Sequence, residues 1–138
     1  LRVALYPHVG FYVDRVETAV RVVEQADRDN LGASFNLCHF LRVGDAANLD
    51  QRLRQAMPHL MLVSINGADP EGNWDRLIQT LDRGDYDVYA VLLKLRRLGY
   101  DGPVGLQCYQ VPGDRRENLK RSIEAWEGFV KRMDPQAR

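Results

Sequence analysis

The chain has few of the residues that build disulfide or zinc frameworks. Its two cysteines, Cys38 and Cys108, lie far apart, and no C-x-x-C spacing occurs among its 138 residues. A disulfide framework or a zinc knuckle is therefore not expected. We expect both cysteines to be small, buried side chains.

The sequence also lacks a long apolar run and an excess of charge of either sign. Its longest nearly apolar run, LMLVSI at 60–65, is far too short to span a bilayer. Lys and Arg number 19, and so do Asp and Glu, so the net charge creates no basic field to attract nucleic acid or an anionic membrane. We expect neither of them as a partner.

No targeting segment is recognisable. The chain opens directly on a strand-like run, at Leu1 rather than at a methionine. We therefore expect that an upstream part is missing. The sequence leaves the compartment open, and the cytoplasm is the expectation.

What the sequence does contain is a regular alternation of strand-like and helix-like segments. Short runs rich in Val, Leu, Ile and aromatic residues predict four strands: 2–8, 32–39, 59–65 and 102–109. Helical spacing of apolar residues predicts a helix after each of them, the first one over 14–28 with Asp14 as its cap. Gly99 stands where the third helix needs a left-handed C-cap.

This order, β-α-β-α-β-α-β-α, predicts an α/β fold with a parallel sheet and helices outside it. One architecture that fits is a small doubly wound sheet, but the first turn, YPHVGFYVD, carries no Gly-rich phosphate motif. The other is half of a (βα)8 barrel, four of its eight units. We expect one domain over 1–133 and a frayed tail over 134–138.

Polar side chains follow each predicted strand, where a barrel or an open sheet presents its chemistry. They are His8 after the first strand, Asn36 and His39 after the second, Asn66 and Asp69 after the third, and Gln107 after the fourth. The coincidence across four strands is more specific than any one of them. We therefore expect the functional site at these strand ends.

Two longer stretches carry a family resemblance that covers nearly the whole chain. LGYDGPVGLQ (98–107) and LDRGDYDVYAVLLKLRRLGY (81–100) resemble the approach to the last strand in the xylose-isomerase-like TIM-barrel family of sugar phosphate isomerases and epimerases. The resemblance implies that the chain is the C-terminal half of such a barrel. It further implies an N-terminal half-barrel, or a second copy of the chain, as the partner that completes the barrel.

The family's divalent-metal ligands, by the same resemblance, are Glu, Asp, His and Glu at the four strand ends. This chain has Tyr6, Asn36, Asn66 and Gln107 there, with Ser64 as a second alignment for the His. A divalent cation needs anionic oxygen ligands, so we expect no metal cofactor. The alternative is a metal site rebuilt from Asp69, His39 and His8.

The candidate site residues fall into two groups by their chemistry. His39, His8 and Asp69 are the candidate acid/base groups. Asn36, Asn66, Gln107 and Tyr6 can bind sugar hydroxyls, and Trp74 can stack on a sugar ring. Structural roles stay open for several: the amides can satisfy loop backbone, Asp69 can form the turn before Pro70, and Trp74 can anchor its loop.

The resemblance implies a sugar or sugar-phosphate isomerase or epimerase acting by proton transfer on a small carbohydrate, here without the usual metal. A non-catalytic carbohydrate-binding pseudoenzyme is the alternative, and a metal enzyme with a different alignment is the third possibility. Whether the chain is an enzyme at all is therefore open. The endonuclease relatives of the family are excluded, because the chain has neither a basic groove nor their metal-binding His and Asp residues.

Overall fold

A computed structural model describes residues 1–134. Its single sheet has four parallel strands in the order β1-β2-β3-β4: β1 (Val3–Leu5), β2 (Leu31–Asn36), β3 (Leu60–Ile65) and β4 (Val104–Leu106). Each strand pairs with its sequence neighbour, as right-handed βα units require. The predicted α/β fold with a parallel sheet is confirmed.

Within residues 1–134 six helices accompany the sheet: α1 (Val16–Ala26), α2 (Leu37–Arg42), α3 (Leu49–Ala56), α4 (Trp74–Leu77), α5 (Val88–Arg97) and α6 (Arg115–Met133). Two 3₁₀ turns, Ala46–Asn48 and Met57–His59, flank α3. The predicted helix ending before Pro58 is confirmed, and Gly99 after α5 has the predicted positive φ, +86°.

Several predicted boundaries were wrong. The second strand ends at Asn36 rather than at His39. Residues 37–42 form a helix instead, and Leu37 to Leu41 are all buried in it. The first and fourth strands are also shorter than predicted, at three residues each. His39 therefore lies in a helical turn that starts at the strand end.

The cap predicted at Asp14 was also wrong. Arg15 is the N-cap of α1, and no side chain caps that helix. Aspartate caps do occur elsewhere: Asp87 accepts from the backbone N–H of Ala90, and Asp114 accepts from that of Glu117.

The core lies between the sheet and α1, α3 and α5. Its fully buried side chains include Phe35 and Val63 from the strands, Val20 and Leu53 from the helices, and Val91 from α5. Each such side chain contributes about 1.5–3 kcal/mol on burial. This side of the molecule is a complete hydrophobic core.

The far edge of the sheet is different. The apolar stripe predicted on the last helix exists, but Leu119 is 52% exposed and Ile123 is 47% exposed. Within the described residues β4 has a strand on one side only, so nothing covers this face of α6. The same incomplete edge leaves Cys108 exposed, which contradicts its predicted burial, while Cys38 is buried as predicted.

Two further expectations concern a membrane-spanning segment and the C-terminal tail. In the part of the chain that the structure describes, no helix is long and apolar enough to cross a membrane. The predicted frayed tail over 134–138 lies outside the described residues except for Asp134, whose backbone N–H caps the last turn of α6 by donating to Val130.

Candidate functional site

The carboxyl ends of the strands border a cleft of about 640 Å³. It brings together most of the residues that the sequence singles out. Its lining consists of Tyr6, His8, Val9, His39, Trp74, Asp75, Ile78, Gln107, Tyr109 and Gln110. The predicted location of the site is thus a real concavity of the fold.

Tyr6, at the end of β1, is the centre of a hydrogen-bond network joining three strands. Its Oη accepts from Nδ2 of Asn36, at the end of β2, and from Nε2 of Gln107, just after β4, the latter at 3.0 Å. The positions that the family resemblance aligns with metal ligands therefore meet at a phenol oxygen. Asn66, at the end of β3, is the exception.

The orientation of the two amides follows from their other partners. The Oε1 of Gln107 accepts from the backbone N–H of Tyr109 at 3.1 Å, and a peptide N–H can only donate. The Oδ1 of Asn36 accepts from the Cys38 thiol at 3.0 Å. Both amide N–H₂ groups therefore face Tyr6, and both amide oxygens face away from it.

Electrostatics keep this network uncharged. Burial raises the pKa of Tyr6, the neighbouring Cys38 raises it further, and the hydrogen bond from Gln107 lowers it in part. Burial also raises the pKa of the Cys38 thiol to about 12, so the thiol keeps the proton that it donates to Asn36. Because Tyr6 accepts both amide bonds, its own O–H is left to donate to a ligand.

The two histidines predicted as acid/base groups lie against each other on the cleft wall. Their ring centroids are 4.0 Å apart. His39 is 6% exposed, and burial lowers its pKa to about 4, with a smaller contribution from nearby His8. His39 is therefore a neutral imidazole at pH 7.

Aromatic rings enclose the histidine pair. Phe11 stacks on His8 with centroids 4.4 Å apart, and Trp74 meets His39 edge-to-face at 5.3 Å. Trp74 is 40% exposed, and the Arg42 guanidinium lies 5.5 Å from its ring centroid. Trp74 thus both anchors its helix against His39 and leaves part of its ring to the cleft.

Asn66 and Asp69, by contrast, serve their own loop. Asn66 is fully buried, and its Nδ2 donates to the carbonyls of Gly67 (2.9 Å) and Leu77 (2.7 Å). Its Oδ1 is buried without a hydrogen-bond partner among the described residues. Asn36 and Asn66 are both buried, and neither borders the cleft. Asn36 is bonded to Tyr6, whereas the bonds of Asn66 among the described residues are to its own loop.

The Asp69 carboxylate is likewise engaged by the loop. It accepts from the backbone N–H of Asp85 at 2.9 Å, from Gln79 at 3.1 Å and from the guanidinium of Arg76. The bond from Asp85 and these two side chains lower the pKa of Asp69. Asp69 holds the two ends of the segment between β3 and α5 together and does not border the cleft.

Sequence reasoning missed several cleft residues. Tyr109 and Gln110 lie three and four residues after the end of β4, so their place in the strand-end loop was an available signal. Val9 acts through its backbone, which no side-chain pattern reveals. Asp75 is the one charged side chain on the described lining, and no lysine or arginine is part of it.

A family model described as the xylose isomerase-like TIM barrel matches residues 1–129. The chain belongs to this family. The half-barrel fold and the resemblance drawn from the sequence are thereby confirmed.

Individual relatives show the same partial extent. The chain is 25% identical over 110 residues to the uncharacterized protein MJ1311 of Methanocaldococcus jannaschii, covering 78% of this chain and 36% of the relative. It matches the crystal structure of a D-tagatose 3-epimerase-like protein at TM-score 0.73 and 20% identity, covering 99% of this chain and 49% of the other. It also matches the IolI protein with a bound zinc atom at TM-score 0.72 and 19% identity, over 96% of this chain and 50% of that one.

The coverage has a structural meaning. The chain spans about half the length of these solved structures and about a third of the relative. Its four βα units thus correspond to half of a TIM barrel, in agreement with the open edge at β4 and α6.

Proposed function

We propose that this chain carries the catalytic face of a carbohydrate isomerase or epimerase that transfers protons without the family's usual divalent metal. The observation that carries the proposal is the network at Tyr6. Three strand ends that the resemblance aligns with metal ligands are occupied here by a phenol and by two amides that each donate a hydrogen bond to it.

The donor set at this point does not fit a divalent cation. Such a cation takes oxygen ligands, several of them anionic. Here the amide ends that face the common centre are N–H₂ groups, and the phenol keeps its proton. No cluster of three or more His, Cys, Asp or Glu side chains suited to a metal occurs within residues 1–134.

The residues of the cleft supply what a proton transfer next to a carbonyl needs. His8 and His39 are the acid/base candidates, and the free O–H of Tyr6 can donate to a sugar oxygen. Asn36 and Gln107 hold the phenol in place, and Trp74 offers an apolar ring face for a sugar. Asn66 and Asp69 support the loop after β3 rather than taking part in the reaction.

The charge of the lining favours an uncharged sugar over a sugar phosphate. Phosphate binding commonly relies on Arg, Lys or a cradle of backbone N–H groups. Asp75 is the single charged side chain among the described cleft residues, and it would repel a phosphate. We therefore propose a free ketose or aldose as the substrate.

The open face of the fold requires a partner, and we propose the N-terminal half of the same type of barrel. The groove between β4 and α6 is apolar, lined in part by Leu106, Leu119, Ile123 and Trp126. An open strand edge beside such a surface invites pairing with another strand. The match to only half the length of solved barrels favours a second half-barrel as the occupant. The alternative is a second copy of this chain. Sedimentation analysis distinguishes the two, because a dimer of this chain has twice the mass of one chain.

A carbohydrate-binding pseudoenzyme remains the second candidate. The observation that favours it is the same scarcity of charge: among the described residues, Asp75 is the only carboxylate on the cleft lining that could act as a base. Binding of sugars without turnover would select this candidate.

The deciding experiment measures proton exchange directly. The native protein, meaning this chain with whatever completes its barrel, is incubated with D-tagatose, D-fructose or L-ribulose in D₂O containing EDTA. Proton NMR then follows deuterium entering the carbon next to the carbonyl. We expect exchange that persists in EDTA and is lost in His39→Ala.

Two results would contradict the proposal. Binding of these sugars without exchange would leave the pseudoenzyme. Exchange that stops in EDTA and returns with Mn²⁺ would restore a metal-dependent isomerase.

A further inference from the structure

One peptide unit contacts both histidines of the cleft. The carbonyl oxygen of Val9 lies 2.8 Å from Nδ1 of His8, and the backbone N–H of Val9 points to Nδ1 of His39 with an N–N distance of 3.4 Å. Val9 therefore joins the two rings through its two polar backbone atoms.

The chemistry of these backbone atoms assigns the ring protons. A carbonyl oxygen can only accept, so Nδ1 of His8 must carry a hydrogen. A peptide N–H can only donate, so Nδ1 of His39 must present a lone pair. A neutral imidazole has one N–H, so in the neutral form of each ring Nε2 of His8 is a lone pair and Nε2 of His39 is an N–H.

We propose that the Val9 peptide holds His8 and His39 in opposite tautomers, with His8 the base and His39 the hydrogen-bond donor of the reaction. The catalytic roles rest on the proposed function, whereas the assignment of the tautomers does not depend on it. Val9 is then a positioning residue that acts through His8 and His39.

The surroundings fix the geometry on which the assignment depends. The backbone N–H of His8 donates to Val13 at 2.9 Å, and that of Phe11 donates to His8 at 3.0 Å, closing a tight turn around Val9. Gly10 has a φ of +88°, which suits glycine. The ring of Phe11 stacks on His8 with an angle of 23° between the planes.

His39 is fixed in its turn by burial. Its ring is edge-to-face with Tyr6 (centroids 5.8 Å apart) as well as with Trp74, so it cannot flip freely. Burial and nearby His8 keep its pKa near 4, so the neutral form with a single ring proton is the one present at pH 7.

The proton balance of the step follows from these tautomers. Nε2 of His8 takes the proton from the carbon next to the sugar's carbonyl. The C–H electron pair becomes the C=C bond of an enediolate, and the carbonyl oxygen takes the negative charge. The Nε2–H of His39 donates a hydrogen bond to that oxygen, as a neutral imidazole can. His8 then returns a proton, which can have exchanged with solvent, to the same carbon, and the negatively charged oxygen re-forms the carbonyl. Return to the other enediolate carbon, which isomerises the sugar, also requires the neighbouring hydroxyl to pass its proton to the negatively charged oxygen.

The first test reads the tautomers without any substrate. Long-range ¹H–¹⁵N correlation spectra of the ¹⁵N-labelled native protein at pH 7.5 distinguish protonated from unprotonated ring nitrogens. His59, 3.5 Å from Glu24 at the other end of the sheet, is identified by His59→Gln. We expect the Nδ1–H form for His8 and the Nε2–H form for His39; the same form in both, or the reverse pair, overturns the inference.

The second test reads the roles through deuterium exchange into the same three sugars. Gln places an amide N–H near the position of Nε2, so His39→Gln should keep the donor and lose about 10-fold, whereas His39→Leu should lose about 100-fold or more. His8→Gln removes the base and should lose at least about 100-fold.

The two tests separate the inference from the proposed function. If His8→Gln retains wild-type exchange while His39→Gln is as inactive as His39→Leu, His39 is the base and the inference is wrong although the function stands. If the wild type exchanges none of the sugars, the proposed function fails and the catalytic roles fail with it, whatever the spectra show.

Discussion

The four strand ends of this half-barrel fall into two kinds. At β1, β2 and β4, Tyr6, Asn36 and Gln107 turn toward one another across the sheet. At β3, Asn66 and Asp69 turn into their own loop and bind its backbone and Arg76. Equivalent positions in the repeat therefore have different roles: three form a network across the sheet, and the fourth stabilises its own loop.

The difference arises from the length of the connections. The segment after β3 runs to α5 with only the short helix α4 inside it, so it needs internal bonds to keep its shape. Asn66 and Asp69 supply them. The β1, β2 and β4 ends lead into shorter connections, and their first polar side chains meet at the phenol oxygen of Tyr6. Tyr6 and Gln107 border the cleft, whereas Asn36 is buried.

The largest expected effect is on the stability of the β3 loop. Asn66→Ala removes two buried hydrogen bonds. The Leu77 carbonyl loses its side-chain donor, whereas the Gly67 carbonyl still accepts from the backbone N–H of Gln79. We expect a loss of about 2–4 kcal/mol in the free energy of unfolding. Gln107→Ala, the matched amide at β4, should lose less than about 1 kcal/mol because it is partly exposed. Urea denaturation measures both, and equal losses would remove the distinction between the two kinds of strand end.

The second prediction tests whether Tyr6 acts on a ligand through its hydroxyl or only packs through its ring. Tyr6→Phe keeps the ring and removes the one O–H that the network leaves for a ligand, so proton exchange should fall about 100-fold. Tyr12→Phe is the matched control, since Tyr12 is 86% exposed and outside the cleft. A Tyr6→Phe protein with unchanged exchange rates would assign Tyr6 to packing alone.

The third prediction restores charge to the two strand ends that meet Tyr6. Asn36→Asp combined with Gln107→Glu places two carboxylates of nearly unchanged shape around Tyr6. We expect this double variant to gain Mn²⁺ binding, with stabilisation of about 2.7 kcal/mol at a metal concentration 100 times Kd. Thermal unfolding with and without Mn²⁺ measures it, with Gln107→Glu alone as the control. No gain in the double variant would mean that these side chains do not converge as described.

The smallest effect concerns pH. The pKa of His39 is lowered from 6.5 to about 4 in the folded protein, so the unfolded chain binds more protons between these values. Stability should therefore fall as the pH drops from 6.5 toward 4 and should be insensitive to His39 above 6.5. His39→Gln should flatten part of this slope in unfolding curves recorded at several pH values. An unchanged slope would show that His39 is not held neutral by burial.

Much of the fold was predictable because it depends on local apolar spacing. The strands, the α5 stripe and Gly99 follow from residues close in sequence. The end of β2 was not predictable in this way, because residues 37–42 are apolar enough for either a strand or a buried helix. Leu119 and Ile123 have the spacing of core residues, and their exposure depends on a strand that the described residues do not contain.

The candidate site was likewise predictable in part from the sequence. The family resemblance aligned Tyr6, Asn36 and Gln107 at strand ends, and their meeting follows from the parallel sheet. The loop role of Asp69 was not predictable, because its partners Gln79 and Asp85 are set by the path of the loop. Val9 left no signal because its contribution is a peptide group that every residue except proline has.

The most direct test of the central claim is the metal content of the native protein, purified without chelator, together with its melting temperature as Mn²⁺ is titrated. We predict no stoichiometric divalent metal and no shift in melting temperature, with proton exchange into sugars unchanged by EDTA. About one metal per chain, with stabilisation by Mn²⁺ and exchange that depends on it, would contradict the account and show that the site binds a cation through other groups.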